Sequence, residues 1–351
     1  MHDATEPLLD GSAGVPAHLN VDIESSVAQL PKEHARTTMQ RRLQRILAHR
    51  PVLHESVAEA LGTYVMIMFG IGSVAAATFS EQIPSMQGSG ANLHSSYDRA
   101  CNILVSTSGS YLAINVGWAL GVFFGIMVAG GVSGAHLNPA VTLALVAHGQ
   151  CAGNRFIPFA AAQVLGAFLG AATVYAVYID ALRFHLDACS SPPGHKDLDS
   201  ASVFTTFPQH FEGVGAGVVD QVVGTALLML GIFAIADDRQ RGDDSSDATG
   251  NRLGNAAAVA VLVLAIGISF GFNTGYAINP ARDLGPRIFV SMAGWGAHVF
   301  AAAPGQSVAW WWCGPIAGTL LGGLVGSTLY AVLIGWQWPR AGATRALQNT
   351  A

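Results

Sequence analysis

The tripeptide Asn-Pro-Ala occurs twice in this chain, at Asn138-Pro139-Ala140 and at Asn279-Pro280-Ala281, and each copy opens a short apolar segment. Proline fits the first turn of a helix, where a missing N–H costs nothing, and it holds the residue before it out of the α region. That preceding residue is asparagine, one of the strongest N-caps. Its side-chain oxygen can accept from the free N–H groups of the first turn, which leaves the amide NH2 beyond the helix end as a donor. Two such ends facing each other would bring two donors and two positive dipole ends to one point. The segments behind the prolines run about nine residues, roughly 13 Å, or about half of a ~30 Å hydrocarbon core. Half-helices entering from opposite sides would meet near mid-membrane, and irregular backbone at that depth is tolerated only where it lines a cavity. A single Asn-Pro is a common helix start. Two copies in matched apolar contexts outline a pore.

The remaining composition agrees with a membrane protein and excludes other classes. Of 351 residues, 51% are hydrophobic and only 11% charged, which is too little charge for two soluble domains. The 41 glycines suit helices that approach closely in a bilayer. Cys101, Cys151, Cys189 and Cys313 have no metal-ligand spacing, so neither a metal nor a cofactor is expected. Cys101 and Cys189 fall in loops assigned to the same side, where a disulfide and two free thiols are both open. No nucleophile–base pair, phosphate-binding loop or basic nucleic-acid surface stands out, so the chain is not read as an enzyme or a nucleic-acid binder. Asp237-Asp238 and Asp243-Asp244 read as a solvated loop.

The expected fold is an all-α membrane protein with six transmembrane helices and two half-helices. Six apolar runs are long enough to span, at about 57–79, 111–130, 156–179, 213–236, 255–272 and 308–336, with the half-helices after the second and the fifth. Residues 1–53 read as an N-terminal tail, partly disordered, with a basic amphipathic helix over 31–50 suited to an anionic membrane surface. Residues 54–338 form the channel domain and 339–351 a C-terminal tail. Twelve of the 17 Lys and Arg lie in the tails, at Arg155 and over 239–252, against three in the opposite loops. Both termini are therefore expected to be cytoplasmic. The tryptophans Trp310, Trp311 and Trp312 at one end of the last span, and Trp336 and Trp338 at the other, read as interfacial belts. The halves repeat, because Glu59-Ala-Leu-Gly-Thr63 matches Gln221-Val-Val-Gly-Thr225. Three spans per half make the second copy inverted, with its site at the midplane.

Over about residues 55–338 the sequence resembles the major intrinsic proteins, the aquaporins and aquaglyceroporins. Ser-Gly-Ala-His-Leu-Asn-Pro-Ala-Val-Thr (133–142), Asn-Pro-Ala-Arg-Asp (279–283) and the Glu59/Thr63 pair carry the likeness. The resemblance implies a pore with an outer constriction formed by Trp118, Gly267, Tyr276 and Arg282. It also implies pore-lining carbonyls from Gly134, Ala135, His136, Leu137, Ala277 and Ile278, loops supported by Glu59, Gln221 and Asp283, and a homotetramer in the plasma membrane. Glycine at 267, where a water-only member carries histidine, together with Asp283 and Arg287, implies passage of glycerol, of small uncharged solutes such as urea, and of water. Ions and protons would be excluded. Two features depart from that type: Gln221 stands where an acid is expected, and Trp311-Trp312 matches water channels. A water-selective channel is thus the alternative. An alternating-access transporter would need more coupling-ion residues within the spans than Glu59 and Asp220. A non-conducting scaffold would not need the pore pattern.

Overall fold

The computed structural model describes residues 50–80, 108–189, 196, 198–237, 248–300 and 309–337. Residues 31–49 of the expected basic helix, 81–107 of the loop, Trp338, the C-terminal tail and the pairing of Cys101 with Cys189 lie outside the described residues.

Ten elements are labelled here: α1 (Pro51–Ser80), α2 (Ser108–Ala129), α3 (Pro139–Ala147), α4 (Phe156–Val177), α5 (Ile179–Cys189), α6 (Leu198–Ala201), α7 (Val214–Ala236), α8 (Ala248–Thr274), α9 (Pro280–Val290) and α10 (Trp312–Gly335). Six of them, α1, α2, α4, α7, α8 and α10, are long and apolar enough to cross a membrane. The helices run past the apolar stretches at some ends. α1 begins at Pro51 rather than at 57, since proline suits a first turn, and α8 begins at Ala248 rather than at 255. Hydropathy registers only the portion at membrane depth, whereas backbone hydrogen bonding carries the helix on into polar sequence. α10 opens with a π-helical turn at Trp312–Gly318 that contains Pro315, a residue that cannot bond back to the preceding turn.

Packing follows the repeat. α1 lies against α2 and α4, and α7 lies against α8 and α10. The half-helices cross between repeats: α3 packs on α10 of the second half, and α9 packs on α4 of the first. Small residues set the spacing. A Cβ at Gly121 would stand 2.6 Å from Met66 O, and one at Gly125 would stand 2.8 Å from Gly62 O. The backbones of α1 and α2 are therefore in direct contact. Large apolar side chains such as Ile157, Val177, Val219 and Phe272 face outward, as lipid-facing residues do.

The tryptophans depart from the belt expectation. Trp310 and Trp311 are buried, and of the four described belt tryptophans Trp312 and Trp336 are exposed. Trp310 packs onto Gly217 and Gly314, while Trp311 bonds Asp283 as described below.

Candidate functional site

Both half-helices start as proline and asparagine dictate. Asn138 and Asn279 are extended N-caps, and Pro139 and Pro280 occupy N1. Asn138 Oδ1 accepts from Ala140 N at 2.8 Å; Asn279 Oδ1 accepts from Ala281 N at 2.9 Å and Arg282 N at 3.2 Å. The amide groups are less free than the sequence suggests. Asn138 Nδ2 donates to Ile278 O at 2.9 Å, and Asn279 Nδ2 donates to Leu137 O at 2.8 Å. Each NH2 thus spends one proton on the opposite loop and keeps one. The amide orientation is unambiguous, because the oxygen caps a helix and the nitrogen meets a carbonyl.

The lead-ins to the two half-helices share an unusual backbone. Gly134, Ala135 and Leu137 in the first have positive φ, and so do Gly275, Tyr276 and Ile278 at the matching places in the second. Four of these six are not glycine, and left-handed backbone costs such residues about 1–3 kcal/mol each. The conformation lays successive peptide groups along a cavity of 440 Å³ lined by both loops, Trp118, Asn138, Asn279 and Arg282. Of the six carbonyls expected to line the pore, those of Leu137 and Ile278 each have one lone pair taken by the opposite asparagine. The carbonyls of Gly134, Ala135, His136 and Ala277 belong to residues of the same wall.

The strain is held from behind. Glu59, fully buried on α1, accepts from Ser133 Oγ at 2.5 Å and His136 N at 2.9 Å on one oxygen, and from Leu137 N at 2.7 Å and Gln163 Nε2 at 2.8 Å on the other. His136 Nδ1 lies 3.2 Å from Thr142 Oγ1, and its ring meets Phe159 edge-on. In the second loop Gln221 Oε1 accepts from Ile278 N at 3.0 Å, and its Nε2 donates to Thr274 Oγ1 at 2.6 Å. Thr274 in turn donates to Asp220.

At one end of the cavity Arg282 lies with its guanidinium 4.3 Å from the Trp118 ring centroid and 5.9 Å from that of Tyr276. Its Nη2 donates to Gly275 O at 3.3 Å. Asp283 does not pair with it. That carboxylate accepts from Arg287 Nε at 2.7 Å and Nη2 at 2.9 Å, from Thr206 N at 3.0 Å and Thr206 Oγ1, and from Trp311 Nε1 at 2.9 Å. Arg287 continues to Val299 O and Thr206 O. Asp283 therefore ties the loop at Thr206 to α9 and to Trp311, the residue before α10, and Trp311 is part of that tie rather than of the cavity wall.

Gly267 is closely packed by its neighbours. A Cβ there would overlap Asn115 Oδ1 and come within 2.8 Å of Tyr276 Cζ. The missing side chain makes room for the Tyr276 ring against α8, and Gly271 does the same one turn on. Sequence reasoning missed Gln163, Thr206, Thr274 and Asn115. A lone polar residue within an apolar span was the available signal for Gln163 and Asn115; Thr206 and Thr274, near segment ends, gave none.

Comparison with known proteins agrees with this architecture. The major intrinsic protein family model matches residues 47–326. Aquaporin-10 of Milnesium tardigradum is 36% identical over 81% of this chain, which spans 64% of that protein's length, less than two thirds. Aquaporin-9 of Mus musculus is 34% identical over 83% of this chain and 86% of its own. Among solved structures, the aquaglyceroporin from Plasmodium falciparum superposes with a TM-score of 0.62 at 27% identity, over 81% of this chain and 98% of the other.

Proposed function

The chain belongs to the major intrinsic protein family, and from that premise we propose that it is a passive channel for glycerol, other small uncharged solutes such as urea, and water. The observation that carries the reading is the reciprocal pair at the cavity centre, Asn138 to Ile278 O and Asn279 to Leu137 O. It fixes two amide donors and two helix N-termini at one level of the cavity. A water or hydroxyl at that level accepts from both remaining amide protons, which interrupts a proton-conducting chain. Cations meet two positive dipole ends and too few oxygens to replace their hydration. Arg282 adds a fixed positive charge at one end, with its donors facing the solute.

Passage of a polyol follows from the two-sided lining. Trp118 and Tyr276 offer an apolar wall for a carbon backbone. Arg282 and the loop carbonyls offer donors and acceptors to its hydroxyls. The aquaglyceroporin among the similar structures favours the same solute class, and the assignment of Trp311 to the Asp283 tie removes the main sequence feature that favoured a water-only channel. The pore works as one unit per chain, and a homotetramer in the plasma membrane is its expected setting. Arg50, Arg155 and Arg252 lie toward the end where α1 begins, since Arg155 Nε bonds Glu55 at 2.5 Å and Arg252 borders Gly131. By the positive-inside bias that end, and with it both tails, is cytoplasmic.

Stopped-flow light scattering on proteoliposomes tests the reading. The wild type should pass both glycerol and water, with no proton leak by an internal pH dye. Gly267→His, which forces Tyr276 and Asn115 from their places, should lower the glycerol-to-water ratio sharply. A wild type that passes water alone would establish the water-selective alternative, and one that passes neither would overturn the channel reading.

A further inference from the structure

Asn115 sits on α2 one turn from Trp118 and is 1% exposed. Its Nδ2 donates to Tyr111 O at 2.8 Å, which settles the amide orientation and leaves Oδ1 as the acceptor. Tyr111 itself reaches across to α8, its hydroxyl donating to Gly267 O at 2.7 Å. Among the described residues Asn115 Oδ1 has no hydrogen-bond partner, and neither has the hydroxyl of Tyr276, which is 6% exposed. Both atoms border the same point, the place where a Cβ of Gly267 would stand, with Tyr276 Oη 2.9 Å from it.

A buried acceptor and a buried donor left apart each carry a desolvation penalty. Both atoms are buried from bulk water. One arrangement that satisfies both is a bond from the Tyr276 hydroxyl to Asn115 Oδ1 over the bare backbone of Gly267. We infer that Asn115 is a specificity-determining positioning residue, which holds the Tyr276 ring back against α8 through its hydroxyl and so keeps the constriction wide enough for a polyol. Trp118 is held on its other flank by Gly70, where a Cβ would overlap the indole. Tyr276 is backed by Gly267 and Gly271 of α8, with Asn115 Oδ1 beside them. Without the bond its ring is free to lean toward Arg282 and narrow the passage. Water, the smaller solute, is less sensitive to that narrowing than glycerol.

The inference rests on the polyol-channel reading above. The test compares wild type, Asn115→Leu, Tyr276→Phe and the double variant in proteoliposomes, reading the ratio of glycerol to water permeability. Each single variant should lower that ratio by about fivefold, the scale of one lost hydrogen bond. The double variant should match the singles rather than multiply them, since one bond is removed in all three cases. Loss of folded protein scales both fluxes together and leaves the ratio alone. Should Asn115→Leu fail to fold, Tyr276→Phe, which deletes one oxygen, carries the same expectation. A Tyr276→Phe ratio equal to wild type, or multiplying effects in the double variant, overturns the role given to Asn115 while the channel reading stands. A wild type that passes no glycerol overturns both.

Discussion

In the first half of the molecule one carboxylate, Glu59, stands beneath the pore loop and gathers four donors, two of them backbone N–H groups. In the second half the corresponding side chain is Gln221, which accepts one backbone N–H and donates to Thr274. The charge has moved rather than vanished. Counting from the paired asparagines, Asp283 and Arg287 occupy the places that Thr142 and Val146 hold in the first half. There they lock α9 to Thr206, Trp311 and Val299. The two loops nevertheless arrive at the same backbone, with left-handed residues at matching positions. The comparison teaches that a strained loop needs its N–H groups answered and its helix anchored, and that a buried charge can serve either task.

If this division of labour is right, the deepest damage comes from breaking the second half's ion pair. Arg287→Ala leaves Asp283 buried and short of its partner, and should cost about 3–5 kcal/mol, read as a large drop in melting temperature of the detergent-solubilised protein. In the first half, Glu59→Gln puts an NH2 where a donor already points and leaves a loop N–H unanswered. It should cost about 3 kcal/mol and lower water and glycerol permeability together, whereas glutamine at 221 is native. Equal tolerance of Gln at both sites would break the comparison. Trp311→Phe removes one hydrogen bond to the Asp283 carboxylate, worth about 1.5–3 kcal/mol, and should leave the glycerol-to-water ratio unchanged. A shift of the ratio toward glycerol would return Trp311 to the constriction. On the same scale, Thr274→Val removes one bond to the Asp220 carboxylate and one from Gln221, about 1.5–3 kcal/mol, and should be measurable in a melting curve but not in flux.

Much of this was legible in the residues. The spans, the half-helices and the inverted order follow from apolar length, proline position and the repeat of Gly-Thr after Glu59 and Gln221. What stayed hidden depends on long-range geometry. Trp311 looks like a surface aromatic until the turn leading into α10 places its indole N–H 2.9 Å from Asp283. Gly267 reads as an absence until Tyr276 is seen lying on it. The left-handed backbone of Ala135, Leu137, Tyr276 and Ile278 leaves no glycine to announce it, because tertiary bonds from Glu59 and Gln221 impose it against local preference. The asparagine amides looked wholly free because the acceptor of each lies about 140 residues away.

That last separation has a bearing on biogenesis. A ribosome adds about 5–20 residues per second, so Asn138 emerges on the order of ten seconds before Ile278, the residue whose carbonyl it needs. Through that interval the first loop has Glu59 behind it and nothing in front, which leaves a polar amide exposed at the level of the lipid tails. An amide without its acceptor is costly at that depth, so the first repeat is expected to keep water or other polar groups against Asn138 until the second loop arrives and closes the centre.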